Sequence, residues 1–352
     1  MIALRRLLLP ALAVLLVIVA TSCEHRILQD PNNTHYIRVY LDEQIKNVTC
    51  GFYNETYDRP SYSTPIIIRA VLASPSSGQV ISESLLRGRG SDERGDYIDG
   101  YIAAGEGEYN LLVYQMGSPV TLIGNVDNFY EMQAYTKNIN DQVMGYLPSL
   151  SKDEEHKRIV AEPEHVLASV CERISLHTTS SIDTLRNHEG DYFTAGSIAK
   201  SYYLQIRVKG THWVKTAAAV LSGVSGSKLM CRPDEVVATD PVSVFFGMRY
   251  SGMNRRAVGD SSNEVMYTTF ATFGKIENMT SILAIDFEFT KSDGSTQVEK
   301  IDITDEFKTQ MAIEKQWILL DREIEIVPPI GGSGGMEPSV EGWKDIEGTV
   351  VM

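Results

Sequence analysis

YYLQIRVK, residues 202–209, decides the fold class. Tyr202, Leu204, Ile206 and Val208 fall on one side of an extended chain, and Tyr203, Gln205, Arg207 and Lys209 on the other. A period of two with an apolar side rich in β-branched and aromatic residues is the pattern of a strand with one buried face. Upstream, Ile37, Val39 and Leu41 alternate in the same way with Tyr36, Arg38 and Tyr40. Residues 66–73 read as a continuous buried-type strand after Pro65, and residues 108–116 read as a further strand. Downstream the pattern returns at 241–250, 263–273, 281–290 and 317–327, where Pro328 and Pro329 stop it. Between Phe289 and Ile301, the Asp293-Gly294 pair supplies the positive-φ positions of a tight hairpin. The chain is therefore expected to be all-β.

One stretch has helix chemistry. Residues 151–161 read SKDEEHKRIVA, with Ser151 and Glu154 spaced as a capping box, and Pro163 closes the segment. It is mostly charged and lies between two strand-rich halves, so it reads as a linker. The expected organisation is an export signal at 1–22, a first antiparallel β-sandwich with its linker at 23–162, a second at 163–330, and a spacer with a tail at 331–352. The spacer is the GGSGG run of residues 331–335, and residues 343–351 suit one more edge strand. No short repeat recurs, which disfavours solenoids and propellers.

The N-terminus carries a basic pair, Arg5 and Arg6, an apolar core from Leu7 to Ala20, and the small residues Ala20-Thr21-Ser22. The apolar run holds about 14 residues and includes Pro10, short of the roughly 20 that a spanning helix needs. Cys23 follows the small residues directly. This arrangement resembles the lipobox of bacterial lipoproteins, which makes Cys23 the expected lipid-attachment site.

The net charge is −14, and removal of Arg5 and Arg6 with the signal leaves −16. A chain this acidic, with no offsetting basic patch, repels nucleic acid and anionic headgroups. With Cys23 committed to lipid, Cys50, Cys171 and Cys231 allow at most one disulfide. Their spacing matches no zinc ribbon or CxxC motif, so buried free thiols are expected.

Catalytic patterns are weak. Ser197 and Lys200 match SxxK, yet the match runs straight into the 202–208 strand, and neither S-D-N nor K-T-G accompanies it. Residues 223–228, GVSGSK, fit neither phosphate-loop nor nucleophile-elbow spacing and read as a glycine-rich turn. The seven histidines, at 25, 35, 156, 165, 177, 188 and 212, lack metal-ligand spacing and are expected at the surface. Asp302, Asp305 and Glu306 lack calcium-loop spacing and read as a solvated turn. No enzyme activity, metal or cofactor is expected. Arg94-Gly95-Asp96 is an RGD tripeptide in a hydrophilic stretch, an exposed turn and the candidate binding loop. Phe52, Tyr53, Tyr57 and Tyr62 form a candidate aromatic platform for sugar rings. The Asn-x-Thr sites at Asn32, Asn47, Asn54 and Asn278 fit surface loops.

Several phrases carry a family resemblance. They are CEHR at 23–26, AGEGEYNLLVY at 104–114, EPE at 162–164, VLSG at 220–223, ITD at 303–305, IEIVPP at 324–329 and GWK at 342–344. Together they resemble fimbrillin-like lipoproteins of Bacteroidales, in a domain-of-unknown-function group related to fimbrial anchor subunits. The resemblance implies two tandem transthyretin-like sandwiches, an N-terminal lipid in the outer membrane, surface exposure, and a role in anchoring, assembling or composing fimbriae. It also implies partners recruited by β-strand addition. No arginine is clearly placed for maturation by cleavage, since Arg38 lies within a strand and Arg59 precedes Pro60. That favours an anchor-like or accessory subunit. The alternative is a lipid-anchored module that binds glycan or host protein.

Overall fold

The computed structural model describes residues 33–42, 47–50, 55–58, 64–116, 118–177, 184–232, 235–250, 265–276 and 283–329. The export signal, Cys23, the spacer and the tail lie outside these residues, as do Phe52, Tyr53 and Tyr62 and the side chains of Cys50 and Tyr57. The protein is built almost wholly of strands. No helix among the described residues is long and apolar enough to cross a membrane.

Numbered along the chain, the largest sheet runs β5 (Val80–Leu86), β4 (Ile68–Ala73), β8 (Gly107–Gln115), β12 (Leu167–Leu176), β13 (Phe193–Ser197), β1 (Thr34–Leu41), β7 (Gly95–Ala103) and β6 (Gly88–Asp92). It curls so that its two halves enclose one core. Ile37, Val39, Ile98 and Ile102 on one side meet Ile68, Leu72, Leu111 and Val113 from the other. β5 comes over β7 where Gly100 lacks a side chain: a Cβ there would sit about 3.2 Å from the Leu86 backbone. β8 explains its own sequence, since Leu111 and Val113 enter this core while Leu112 and Tyr114 enter another on the opposite face. A hairpin of β2 (Asn47–Cys50) and β3 (Glu55–Asp58) forms a separate two-stranded sheet.

A second sandwich pairs a five-stranded with a four-stranded sheet. The first runs β11 (Ile159–Val160), β17 (Pro241–Gly247), β15 (Val214–Ser225), β20 (Ala284–Lys291) and β21 (Thr296–Asp302). The other runs β18 (Arg249–Tyr250), β19 (Val265–Thr272), β14 (Lys200–Lys209) and β22 (Trp317–Glu325). Their facing side chains form one cluster: Leu204, Ile206 and Val208 from β14 meet Ala219, Leu221, Phe287 and Phe289. Phe246 and Phe270 stack across it with ring centroids 4.8 Å apart. The alternation read at 202–209 is thus the core face of β14, although Tyr203 and Gln205 on the other face are also buried. β20 and β21 join through the expected hairpin, in which Gly294 has φ +85°.

Most pairings are antiparallel, but β1 with β13, β14 with β22 and β11 with β17 are parallel. The parallel pairs mark long returns of the chain. After β9 (Thr121–Gly124) and β10 (Gln133–Thr136), which form a small sheet with β16 (Ser227–Leu229), the chain crosses to the second sandwich. There α1 (Asn140–Val143) and the residues on either side of it pack Ile139, Val143, Leu147 and Leu150 against Ala218, Val220 and Phe245, on the outer face of the five-stranded sheet. The chain then goes back to supply β12 and β13 to the first sheet. A cut near residue 162 therefore divides that sheet, because two of its central strands lie beyond it. A third cluster joins the sandwiches, with Val71, Leu112 and Tyr114 packed against Phe129, Met132, Met230 and Phe273.

The helix expected at 151–161 is not continuous. Short 3-10 turns occupy Leu150–Lys152 and Glu154–His156, and residues 159–160 join β17 as β11. Asp153, not Ser151, caps the second turn, accepting from the Glu155 amide at 2.9 Å. A six-residue helix that the sequence reading lacks, α2 (Gln310–Lys315), starts at Thr309, whose hydroxyl accepts from the Ala312 amide at 3.2 Å. Cys171 and Cys231 are buried and free. Burial raises both thiols above their ordinary value.

Candidate functional site

β1 turns Ile37 and Val39 into the core, which leaves Tyr36, Arg38 and Tyr40 on the outer face. β7 pairs with it so that Tyr101 stands opposite Tyr36, Asp99 opposite Arg38 and Tyr97 opposite Tyr40. β6, at the edge, sets Gly90 opposite Tyr97 and Gly88 opposite Asp99. Those glycines make room for the larger groups: a Cβ at Gly90 would collide with the Tyr97 ring, and one at Gly88 with the Asp99 carboxylate.

The outcome is a row of rings and guanidinium groups tied by carboxylates. The Tyr36 hydroxyl donates to Asp99 Oδ2, and the Tyr40 hydroxyl donates to Asp92 Oδ2 at 2.7 Å. Arg38 donates to Asp92 at 3.1 Å, and its guanidinium carbon lies 3.8 Å from the centre of the Tyr97 ring. Tyr40 meets Tyr97 and Tyr192 edge-on, with centroids 5.7 and 5.1 Å apart, and Tyr36 meets Tyr101 at 5.4 Å. The hydrogen bond from Tyr40, with the Arg94 amide behind it, holds the Asp92 carboxyl below its ordinary value. Desolvation raises the Tyr36 and Tyr40 hydroxyls above theirs. Tyr101 is 51% exposed.

The RGD tripeptide lies at the end of this face, in the hairpin between β6 and β7. Asp92 pairs with Gly95, which has φ +121°, leaving Glu93 and Arg94 as the two-residue turn. Asp92 Oδ1 accepts from the Arg94 amide at 2.9 Å. The Arg94 guanidinium lies over the Tyr192 ring, 5.1 Å from its centre, and that of Arg186 lies over the same ring at 3.4 Å. Asp96 is exposed and paired with Ser91. Tyr192 and Arg186, absent from the sequence reading, come from the chain just before β13. The outward Tyr-x-Arg-x-Tyr pattern of β1 is the part of this site that the sequence displays.

A second constellation looks catalytic in composition and is structural in placement. His156 Nδ1 lies 2.9 Å from Ser243 Oγ, its Nε2 lies 3.4 Å from Asp286 Oδ2, and Ser222 Oγ is 3.1 Å from Ser243 Oγ. His156, Ser243 and Asp286 are each at most 4% exposed by side chain or residue, so the group is shut away from a substrate. Two residues along β20, Glu288 accepts the amides of Ser149 and Leu150, each at 2.8 Å. These carboxylates pin the crossing segment to the outer face of β20, whose inner face carries Phe287 and Phe289. Surface placement of the histidines is corrected accordingly: His156 and His35 are buried, and His35 Nε2 lies 3.2 Å from the Ala104 carbonyl.

The other motifs resolve into local structure. The Ser197 hydroxyl donates to the Ala199 carbonyl at 2.7 Å between β13 and β14, with no helical turn to bring Lys200 to it. Residues 223–228 form the end of β15, a turn at Gly226 and the start of β16, with the buried Lys228 amine donating to the Ile198 carbonyl at 2.9 Å. Among the described residues no three His, Cys, Asp or Glu side chains form a metal-binding group.

A family model described as a domain of unknown function, DUF5119, matches residues 88–247. The DUF5119 stretch runs from β6 through β17, so it includes the RGD hairpin, Arg186 and Tyr192 but not β1. In fold the chain is similar to a candidate adhesin of Bacteroides ovatus, at 17% identity and a TM-score of 0.56, over 88% of this chain and 98% of that one. It is also similar to the fimbrial anchor protein Mfa2 of Porphyromonas gingivalis, at 11% identity and a TM-score of 0.44, over 79% of this chain and 85% of that one. No curated protein matches in sequence. The likeness to the Bacteroides ovatus protein is one of fold.

Proposed function

We propose that this protein is a non-enzymatic surface lipoprotein of the fimbrillin type, held in the outer membrane by lipid on Cys23 and acting in adhesion as a fimbrial anchor or accessory subunit. The likeness in fold to a candidate adhesin, which spans nearly the whole of both chains, carries the reading. The lipobox-like sequence before Cys23 supports the attachment, and the burial of Ser243, His156 and Asp286 fits a chain without a catalytic centre there. Partners in a filament would join by adding a strand to an open sheet edge.

Protease shaving of intact cells tests the attachment. The wild-type protein is expected in the membrane fraction and cleaved by external protease, and Cys23→Ala is expected in the soluble fraction. Equal solubility of the two, with neither exposed, removes the reading. Deleting the gene should change filament number, length or attachment in negative-stain electron micrographs. A second reading, a surface module that binds glycan, is favoured by the tyrosine and arginine face.

A further inference from the structure

Among the described residues Arg38 is ion-paired with Asp92 and Arg232 with Glu235. Arg94 and Arg186 instead lie each over the ring of Tyr192, with the Asp92 carboxylate acting on Arg94 at longer range. Their placement is fixed from below. Tyr192 meets Tyr40 edge-on, Tyr40 is hydrogen-bonded to Asp92, and Asp92 holds the Arg94 amide that sets the turn. A pair of guanidinium groups held ready in this way offers several N–H donors in the fork geometry that suits a carboxylate or sulfate.

The rest of the face has a different chemistry. Tyr97 and Tyr101 lie on the same side of β7, four residues and so roughly 13 Å apart. Tyr101 is half-exposed beside Tyr36. The surface belongs to the outside of a sheet, and an extended molecule can lie along it. Flat rings attract the C–H faces of sugars, and the arginine pair at one end attracts an anionic substituent.

We infer that this face binds an acidic glycan, with Arg94 and Arg186 holding the carboxylate or sulfate of one sugar and Tyr101 with Tyr36 stacking on a ring several sugars further along. The inference rests on the adhesion reading and names its ligand class. An acidic protein segment would satisfy the arginines equally but leaves the exposed rings without a purpose. Nucleic acid is disfavoured by the charge of the whole chain.

The test uses the full chain in detergent, so it does not depend on cell-surface display and can fail separately from the shaving experiment. The probes are oligogalacturonate, its methyl ester, sialyllactose, a chondroitin sulfate oligosaccharide and polyglutamate, with binding followed by titration calorimetry. Binding of at least one acidic saccharide is expected. If oligogalacturonate is among them, its methyl ester should bind at least tenfold more weakly. Arg94→Gln with Arg186→Gln should lose binding tenfold or more while the melting temperature holds. Tyr101→Ser should weaken saccharide binding while leaving both arginines in place, and it serves as the decisive variant if the double substitution fails to fold. Binding of no acidic saccharide, equal binding of oligogalacturonate and its ester, unchanged binding by the variants, or equal binding of polyglutamate each overturns the inference.

Discussion

At the scale of the residue, Gly88 and Gly90 show how much an absent side chain can decide. Each sits on an edge strand, where glycine ordinarily weakens pairing, and each is covered by the group opposite it. Gly90→Ala would push Tyr97 from its place over β6 and with it the ring on which Arg38 lies. Despite the better strand propensity of alanine, the variant is expected to lose about 1–2 kcal/mol, because overpacking and the broken cation–π contact outweigh the entropic gain. Urea unfolding measures this, and a variant as stable as wild type would show that the Tyr97 stack contributes nothing. The sequence displayed Tyr36, Arg38 and Tyr40 on one side of β1. It could not display Asp92, Tyr97, Asp99 and Tyr192 beside them, since pairing register is set by the whole sheet and not by neighbours in the chain.

At the scale of the element, period-two alternation exposed the long strands, and the failures fall where tertiary partners overrule local preference. Residues 151–161 have capping chemistry, yet the Ser149 and Leu150 amides go to buried Glu288, and Ile159 and Val160 are taken as a strand by β17. The return of the chain from this segment passes Glu162 and His165, which carry opposed pH dependences. Desolvation pushes the Glu162 carboxyl up from 4.5 to about 8, against the hydrogen bond from the Ala271 amide. Between those values the folded chain keeps a proton that the unfolded chain has lost, so stability falls as pH rises. Burial pushes His165 down from 6.5 to about 4, and there the unfolded chain binds the extra proton, so stability falls as pH falls. The two slopes cancel between 4.5 and 6.5. From 6.5 to 8 the Glu162 slope stands alone, on the order of 2 kcal/mol. Glu162→Gln keeps an acceptor for Ala271 and should flatten that fall. Urea midpoints at pH 6, 7 and 8 that decline equally in both proteins would refute the assignment.

At the scale of the molecule, the sequence showed two strand-rich sandwiches and suggested where one gives way to the other, but not that they interlock. The charged stretch near 155 looks like a linker because it is polar. It is instead a clasp, with its charge turned outward and Leu147, Leu150 and His156 turned in. Expression of residues 33–162 alone should therefore give an insoluble product, since β12 and β13 are missing from the middle of its sheet. Residues 163–352 should fare no better, carrying those two strands without a sheet to join and lacking the segment that covers β20. A soluble, cooperatively unfolding fragment from either half would contradict the interlocked arrangement.

The parallel pairing of β1 with β13 has a consequence for how the protein comes into being. Val39 lies beside Phe193, so closing that contact means waiting for roughly 150 further residues, and contacts so distant in sequence slow folding. A chain that emerges N-terminus first, whether from the ribosome or across a membrane, presents β1 with one flank unsatisfied until more than half its length has appeared. During that interval the open edge is a site for wrong partners. That exposure ends only when β13 slides into place beside β1.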